Sequence, residues 1–384
     1  MSGLTGPKIS TDSLAFCVDA SDSLSFKGEP TTNLISDPYA LSGNPSPMAF
    51  NYEATVTRTN ILPASNLANI SPYWMKAVKN NASNGRIMFL GISGLTIGAS
   101  YCFSFYAYTT DTTFTQIRCI SDNSAVTPIV SDVAYNLTTR GIQRINCVFT
   151  SSSGGQVIGV RTGAGDPIGS TFYFTGIQVE QKSYPTRVVN GSRGTTVAAG
   201  GGWADLAGGA RHGEILNGAR EDGDALIFDG TNDYISTGNV SLTYASGYTV
   251  ETVVRYNTIS GAQGLFAYND AGNAKYINLY KGSNQMRFET GPSQAIFGPS
   301  ILTAGVWYHF TGVYNGTTAY LYKNGELDVS GNLTSSTTQN SPIVLGSYAG
   351  YTNGSIGLAR FYTRPLSASE VMSNFKATRK RFSI

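Results

Sequence analysis

Charge is what this sequence has least of. Of its 384 residues only 13% are Asp, Glu, Lys or Arg, against about 25% in ordinary globular chains. The formal net charge is +2, which supplies no bulk attraction for nucleic acid or an anionic membrane, so neither partner is expected. Histidine occurs twice, at His212 and His309, and cysteine four times, at Cys17, Cys102, Cys119 and Cys147, with no paired spacing. A zinc site of the common Cys/His kind is therefore excluded. Three of the cysteines fall in alternating apolar stretches and read as buried thiols; a Cys102–Cys119 disulfide stays open for a protein living outside the cell. No apolar run approaches the ~20 residues of a bilayer span, so membrane insertion is not expected. The opening MSGLTGPKIS has neither the basic segment nor the apolar core of a secretory signal, and the chain is expected to be made and folded in the cytoplasm.

What fills the space is glycine, tyrosine and small hydroxyl residues. Glycine numbers 44 and tyrosine 23, so many turns and few long helices follow. Short alternating segments recur at the spacing of β-sandwiches: 13–20, 101–108, 113–120, 144–150, 156–161 and 171–180. After Gly201 come 225–228, 248–256, 264–268, 275–280, 285–290, 306–314, 317–323, 343–346 and 355–362. Asn315-Gly316 and Asn324-Gly325 are hairpin dipeptides. The fold class is all-β, two β-sandwich or jelly-roll domains, with one short C-terminal helix. That helix spans 368–379, with Ser367 and Glu370 as a capping box, Leu366 and Val371 as a hydrophobic staple, and Lys376, Arg379 and Lys380 suiting its C-terminal end. The stretch 184–202 runs from YPTRVVNGSRGTT into AAGGG, a flexible composition.

Several long segments carry a resemblance. ALIFDGTNDYI, YTVETVVRY, GVWYHFTGVYNGTTAYLYKNGELD and IGLARFYTRPLSASEVMSNF resemble, in order and spacing, a laminin-G-like, concanavalin A-like lectin/glucanase jelly roll. The chain departs from that family at Val253, where Trp is frequent. GPKISTDSLAFCVDASD resembles the first strand of tailed-phage virion proteins of this type, in which WADLAGGARHGEILNGA follows directly. NLISDPYAL and TFYFTGIQVEQKSYPTRVV, with Gln178, Glu180, Tyr184 and Thr186, resemble carbohydrate-binding-module-like sandwiches of phage tail proteins, and ATRKRFSI resembles the end of such chains. The resemblance implies a nested layout: 1–30 as the first strand of the jelly roll, 31–196 as an inserted sandwich, and 197–384 as the rest. It further implies a non-enzymatic structural protein on the virion outer surface, as head decoration, collar or tail-fibre component. Other virion proteins are then its partners and a homo-oligomer its form, although no heptad seam specifies three strands.

Three chemistries were weighed against these residues. Retaining glycoside hydrolysis needs two carboxyl groups ~5 Å apart, yet no Glu-x-Asp-x-Glu occurs, and Glu251 and Glu289 each stand without a carboxylate at an alternate position. His309, in WYHFTGV, reads as a packing residue rather than a catalytic base. The knot Asp229-Gly230-Thr231-Asn232-Asp233 has two readings. Asp229, Asn232 and Asp233 could offer oxygens to Ca²⁺, the one cofactor left open, or simply form a hairpin turn. Nothing else in the sequence supplies six or more oxygens, which favours the turn. Host surface glycans are the alternative partner, through aromatic and amide side chains in turn-rich stretches. The candidates are Tyr268, Asn269, Tyr348 and Tyr351, with Trp74 either joining them or plugging a core.

Overall fold

The structure, a computed structural model, describes residues 8–26, 28–42, 48–50, 54–80, 86–113, 116–121, 133–135, 141–162, 165–269, 276–335 and 338–384. The chain forms two compact units, Met1–Pro30 with Gly194–Ile384, and Thr31–Arg193. Both are antiparallel β-sandwiches, and the α-helix Ala368–Phe382 closes the chain.

In the Thr31–Arg193 unit, one sheet runs Gln143–Thr150, Ser100–Tyr108, Thr171–Glu180, Trp74–Lys79, Ala54–Thr59. The other runs Met48–Phe50, Arg86–Ser93, Gly155–Thr162, Ile117–Ser121, Val133–Tyr135. Alternation sends Phe103, Phe105, Phe172 and Phe174 into one core with Ile117, Ile158 and Val160 from the facing sheet. Five strands of these two sheets have no counterpart in the alternating pattern of the sequence. Ala54–Thr59 (ATVTRT) and Trp74–Lys79 (WMKAVK) carry polar or cationic residues where apolar ones would mark a strand. Lys79 is nonetheless buried and its Nζ donates to the Asp166 carbonyl at 2.6 Å. Met48–Phe50, Arg86–Ser93 and Val133–Tyr135 are the others.

The start and finish of this unit meet, where Thr31–Thr32 pairs with Ser192–Arg193. The fully buried Glu180 carboxylate ties them together. It accepts from Thr31 Oγ1 at 2.5 Å, Gln178 Nε2 at 2.6 Å, Thr186 Oγ1 at 2.7 Å and the Thr186 amide at 2.8 Å. The Gln178–Glu180–Thr186 motif is thus a buried clamp, since an anion removed from water persists only when its oxygens are satisfied.

The larger unit is a jelly roll of two sheets. The first runs Arg220–Asp222, Ala225–Asp229, Asn353–Tyr362, Tyr248–Tyr256, Trp307–Tyr314, Thr318–Lys323, Glu326–Asn332, and the N-terminal strand Leu14–Asp19 also pairs with Asn353–Tyr362. The second runs Gly213–Leu216, Tyr234–Thr243, Thr338–Leu345, Gln263–Asn269, Tyr276–Gly282, Gln285–Gly291, Gln294–Phe297. Between them Phe361 packs against four other rings, with centroids 5.9 Å from Tyr248 and Tyr268 and 6.0 Å from Tyr244 and Phe266. Asn324 and Gly325, both at positive φ (53° and 81°), turn Thr318–Lys323 back into Glu326–Asn332 as an Asn-Gly hairpin should.

The outer face of the first sheet is roofed by the helix. Its start carries the expected capping box, with the Ser367 hydroxyl accepting from the Glu370 amide and the Glu370 carboxylate from the Ser367 amide. Leu366 and Val371 pack together beside it. Beneath the helix lies Glu251, fully buried, bonded to Arg360 Nη1 and His309 Nε2 at 2.7 Å each and to Asn374 Nδ2 at 2.8 Å. Burial alone would raise this carboxyl group, but Arg360, His309 and Asn374 outweigh it and hold it at about 2. Asn374 also accepts from the Ser10 amide at 2.8 Å, and Arg381 pairs with Asp19 at 2.8 Å. Helix, first strand and last strand are therefore fastened around one buried charge.

All four cysteines are buried thiols. The open question of a Cys102–Cys119 disulfide is answered by side-chain direction: Cys119 joins the core between the sheets, whereas Cys102 alternates with the core residues Tyr101 and Phe103 and lies on the other face of its strand. Burial pushes the Cys17 thiol up to about 11 and Cys102 to about 12.

Removing one member of a buried ion pair strands the other, at a cost of roughly 3–5 kcal/mol. Glu251→Ala is expected to lose about that much stability in urea unfolding. Because the folded-state carboxyl sits below its ordinary 4.5, its contribution is present above that pH. It is lost as pH falls from about 4.5 to about 2. The acid limb of the wild-type stability profile should flatten over that window in Glu251→Ala.

Candidate functional site

The outer face of the second sheet carries a different arrangement. Tyr276–Gly282 and Gln285–Gly291 form a hairpin in which Asn278 lies opposite Glu289 and Tyr280 opposite Arg287. Alternation puts Ile277, Leu279, Met286 and Phe288 in the core, so Tyr276, Asn278, Tyr280, Arg287 and Glu289 share the outer face. Glu289, half-buried, accepts from Tyr280 Oη at 2.6 Å, Tyr348 Oη at 3.0 Å and Asn278 Nδ2 at 3.2 Å. A carboxylate has about four acceptor sites, so capacity for a further donor remains. Burial, and then the Glu289 charge, raises the phenols of Tyr276 and Tyr348. Burial also raises Tyr280, and the Glu289 hydrogen bond adds to it. These phenols stay protonated, as donors should.

Tyr348 arrives on the loop between Thr338–Leu345 and Asn353–Tyr362, and its ring meets Tyr280 edge-on with centroids 5.1 Å apart. Gly264 makes room for that loop, since a Cβ there would collide with the Tyr348 amide. Beside the cluster lies an open cleft of about 810 Å³, walled by the 258–262 loop, Tyr280, the turn at 282–284 and Arg287. The Lys281 ammonium pins its walls, donating to the carbonyls of Ile259, Gly261 and Ser283.

Of the residues singled out from sequence, Tyr348 belongs to this cluster. Tyr351 is 38% exposed in the same loop, where it bridges Ser347, and makes no contact with Glu289. Tyr268 is corrected: it is fully buried and its hydroxyl donates to the carbonyls of Val240 at 2.7 Å and Gln339 at 2.6 Å. A ring in the middle of the core has no face for a sugar. Trp74 is corrected likewise, being fully buried with its indole N–H shared between the carbonyls of Leu67 and Ser71. Asn269 is half-buried at the end of its strand, and its Oδ1 has no partner among the described residues; the neighbouring Asp270 lies outside them.

The knot at 229–233 is built as a turn. Asp229 Oδ1 accepts from the amides of Thr231 at 2.7 Å and Asn232 at 3.3 Å, and Gly230 stands at φ 81°. Asp233, largely buried, accepts from the Asp229 amide at 3.0 Å, while Asn232 gives its carbonyl to Asn217. Each carboxylate thus holds backbone amides of the turn itself, the local bonding that suits Asp to turns. Among the described residues no cluster of three or more His, Cys, Asp or Glu could hold a metal ion. His309 and Glu251 sit under the helix and have no opening to solvent.

Tyr276, Asn278, Tyr280 and Arg287 do not stand out in the sequence, and Glu289 stands out there only as a carboxylate without a neighbouring one. Their signal was available: a two-residue Ser283-Asn284 turn fixes the register that places Tyr280 against Arg287 and Asn278 against Glu289. Tyr348 reaches Glu289 from 59 residues away, which no local pattern records.

With this geometry described, comparison with known proteins is informative for the fold. Residues 229–372 match a family model described as the Concanavalin A-like lectin/glucanases superfamily. No curated protein matches the sequence. Among solved structures, the chain is similar to domain 4 of AbnA, an extracellular arabinanase from Geobacillus stearothermophilus, in complex with arabinotriose. The identity is 20% and the TM-score 0.38, over 44% of this chain and 91% of that one. It is also similar to the botulinum neurotoxin serotype D binding domain, at 13% identity and TM-score 0.38 over 46% of this chain and 49% of that one. A third likeness is to Trypanosoma rangeli sialidase, with 16% identity and TM-score 0.38 over 48% and 32%. The chain thus spans about half the toxin domain and about a third of the sialidase. The larger unit carries a concanavalin A-like lectin/glucanase jelly roll.

If the knot is a turn, Asp229→Ala should cost about 1 kcal/mol, the worth of its backbone hydrogen bonds. The loss should be equal in millimolar Ca²⁺ and in EDTA by thermal unfolding. A Ca²⁺-dependent rise in Tm that vanishes in the variant would restore the metal reading.

Proposed function

We propose that this chain is a non-enzymatic, lectin-like adhesion protein that contacts glycans through the outer face of its second jelly-roll sheet. The observation that carries this reading is the half-buried Glu289 carboxylate ringed by Tyr280, Tyr348 and Asn278 beside an open cleft. Sugar recognition asks for such a set: aromatic surface for the pyranose ring, and a few fixed polar groups for its hydroxyls. The match of this unit to a lectin-type family model favours the same reading. Glu251 is sealed beneath the helix and so offers Glu289 no second carboxyl group of the kind glycoside hydrolysis uses, which supports the non-enzymatic reading.

The setting we propose is the outer surface of a tailed-phage particle, as head decoration, collar or tail-fibre component, with host surface glycans and other virion proteins as partners. Support for it comes from the first strand, the intervening sandwich and the closing ATRKRFSI, which resemble phage virion proteins. Homo-oligomeric copies would turn weak single-site binding into avidity.

On a glycan array the full chain should bind a defined subset of glycans, and Tyr348→Ala should reduce binding at least about ten-fold. Tyr268→Phe, in the core, should leave the pattern unchanged. Release of reducing sugar from a host polysaccharide by the pure protein would contradict the non-enzymatic reading. Absence of the chain from purified particles by mass spectrometry would contradict the virion setting.

A further inference from the structure

We infer that the cleft beside Glu289 selects acidic glycans, and that Arg287 is the residue that recognises their carboxylate or sulfate. This inference rests on the lectin-like reading above and narrows it to a ligand class.

Arg287 lies between two rings. Directly opposite it on one neighbouring strand is Tyr280 and on the other Phe297, with its Cζ 5.7 Å and 4.7 Å from their centroids. Gly282 leaves the space the guanidinium occupies, since a Cβ there would strike its Nε and Cζ. The fork is thus held in place before any ligand arrives, which lowers the entropy cost of using it.

Among the described residues, its charge is not answered by an acid. Its hydrogen bond among the described residues runs from Nη1 to Tyr280 Oη at 3.2 Å. No carboxylate among them lies within ion-pair distance of it. The nearest outward-facing acid along the strand, Glu289, is engaged with Tyr280, Tyr348 and Asn278 instead. In a chain so poor in charge, an arginine fixed by two rings and left with free N–H groups in an open cleft is set to receive an anion.

The rest of the wall suits a saccharide. Thr258, Ser260 and Asn284 line the cleft with hydroxyl and amide groups, and Phe297, 49% exposed, offers an apolar ring on the far side of Arg287. A planar carboxylate on a pyranose matches the guanidinium fork, which grips such groups through two parallel N–H···O bonds.

The test uses the full chain on an array of paired glycans. Each pair is acidic and neutral: sialyl-lactosamine and lactosamine, galacturonate oligomers and their methyl esters, 6-sulfated and plain galactosides. Wild type should prefer the acidic member of at least one pair, by about ten- to hundred-fold, the range expected of hydrogen bonds to a charged group. Arg287→Gln should abolish that preference and Arg287→Lys should keep part of it, with both variants unfolding near the wild-type temperature. Equal binding of acidic and neutral members, or a preference that survives Arg287→Gln, would overturn the inference while leaving the lectin-like reading in place. Failure to bind any glycan would overturn both.

Discussion

The buried carboxylate of Glu251 is the constraint on which the larger unit is organised. Stranding a charge in the interior costs several kcal/mol unless it is paired and hydrogen-bonded, so wherever Glu251 goes, Arg360, His309 and Asn374 must follow. Glu251 and Arg360 lie opposite each other on adjacent strands, and Arg360 faces Cys17 on the N-terminal strand. His309 stands on the next strand, and Asn374 belongs to the helix. One anion therefore fixes the position of three strands and the helix, and draws both ends of the chain to one face of the jelly roll.

That closure decides where chemistry can happen. With the helix over one sheet, Glu251 and His309 beneath it are closed to solvent. The second sheet bears no helix among the described residues, and its outer face keeps a carboxylate, phenols and a guanidinium within reach of solvent. The two acids have similar sequence surroundings, TVETVV and MRFET, yet opposite destinies. Glu251 has a cationic partner and a roof, whereas Glu289 has only neutral donors and an adjoining cleft.

Much of this could be read from the chain before any coordinates. Period-two alternation located most strands because each is buried on at least one face; Tyr248–Tyr256 and Thr171–Glu180 match to the residue. The helix start was equally legible, since Ser367, Glu370 and Leu366 act within a few residues of one another. Strands such as Ala54–Thr59 were not, because a solvated edge strand needs no apolar alternation. Among candidate site residues, Tyr348 joins the Glu289 cluster, and the turn-rich loop that carries it is what marked it in the sequence. Tyr268 and Trp74 misled, because ring size and flanking polarity cannot tell a core plug with a bonded hydroxyl or indole from a binding face. The Glu289 cluster depends on hairpin register and on one contact across 59 residues, and register becomes readable only after the turn is assigned.

The central claim is that one face of one sheet, built from Tyr280, Arg287, Glu289 and Tyr348, is where this protein meets its ligand. A crystal structure of the full chain with a bound acidic oligosaccharide tests it most directly. The account predicts a sugar ring in the cleft beside Tyr280, with its anionic group on the Arg287 guanidinium and a hydroxyl toward Glu289. A sugar seated instead at the 229–233 turn, or on the Thr31–Arg193 unit with this cleft empty, would contradict it.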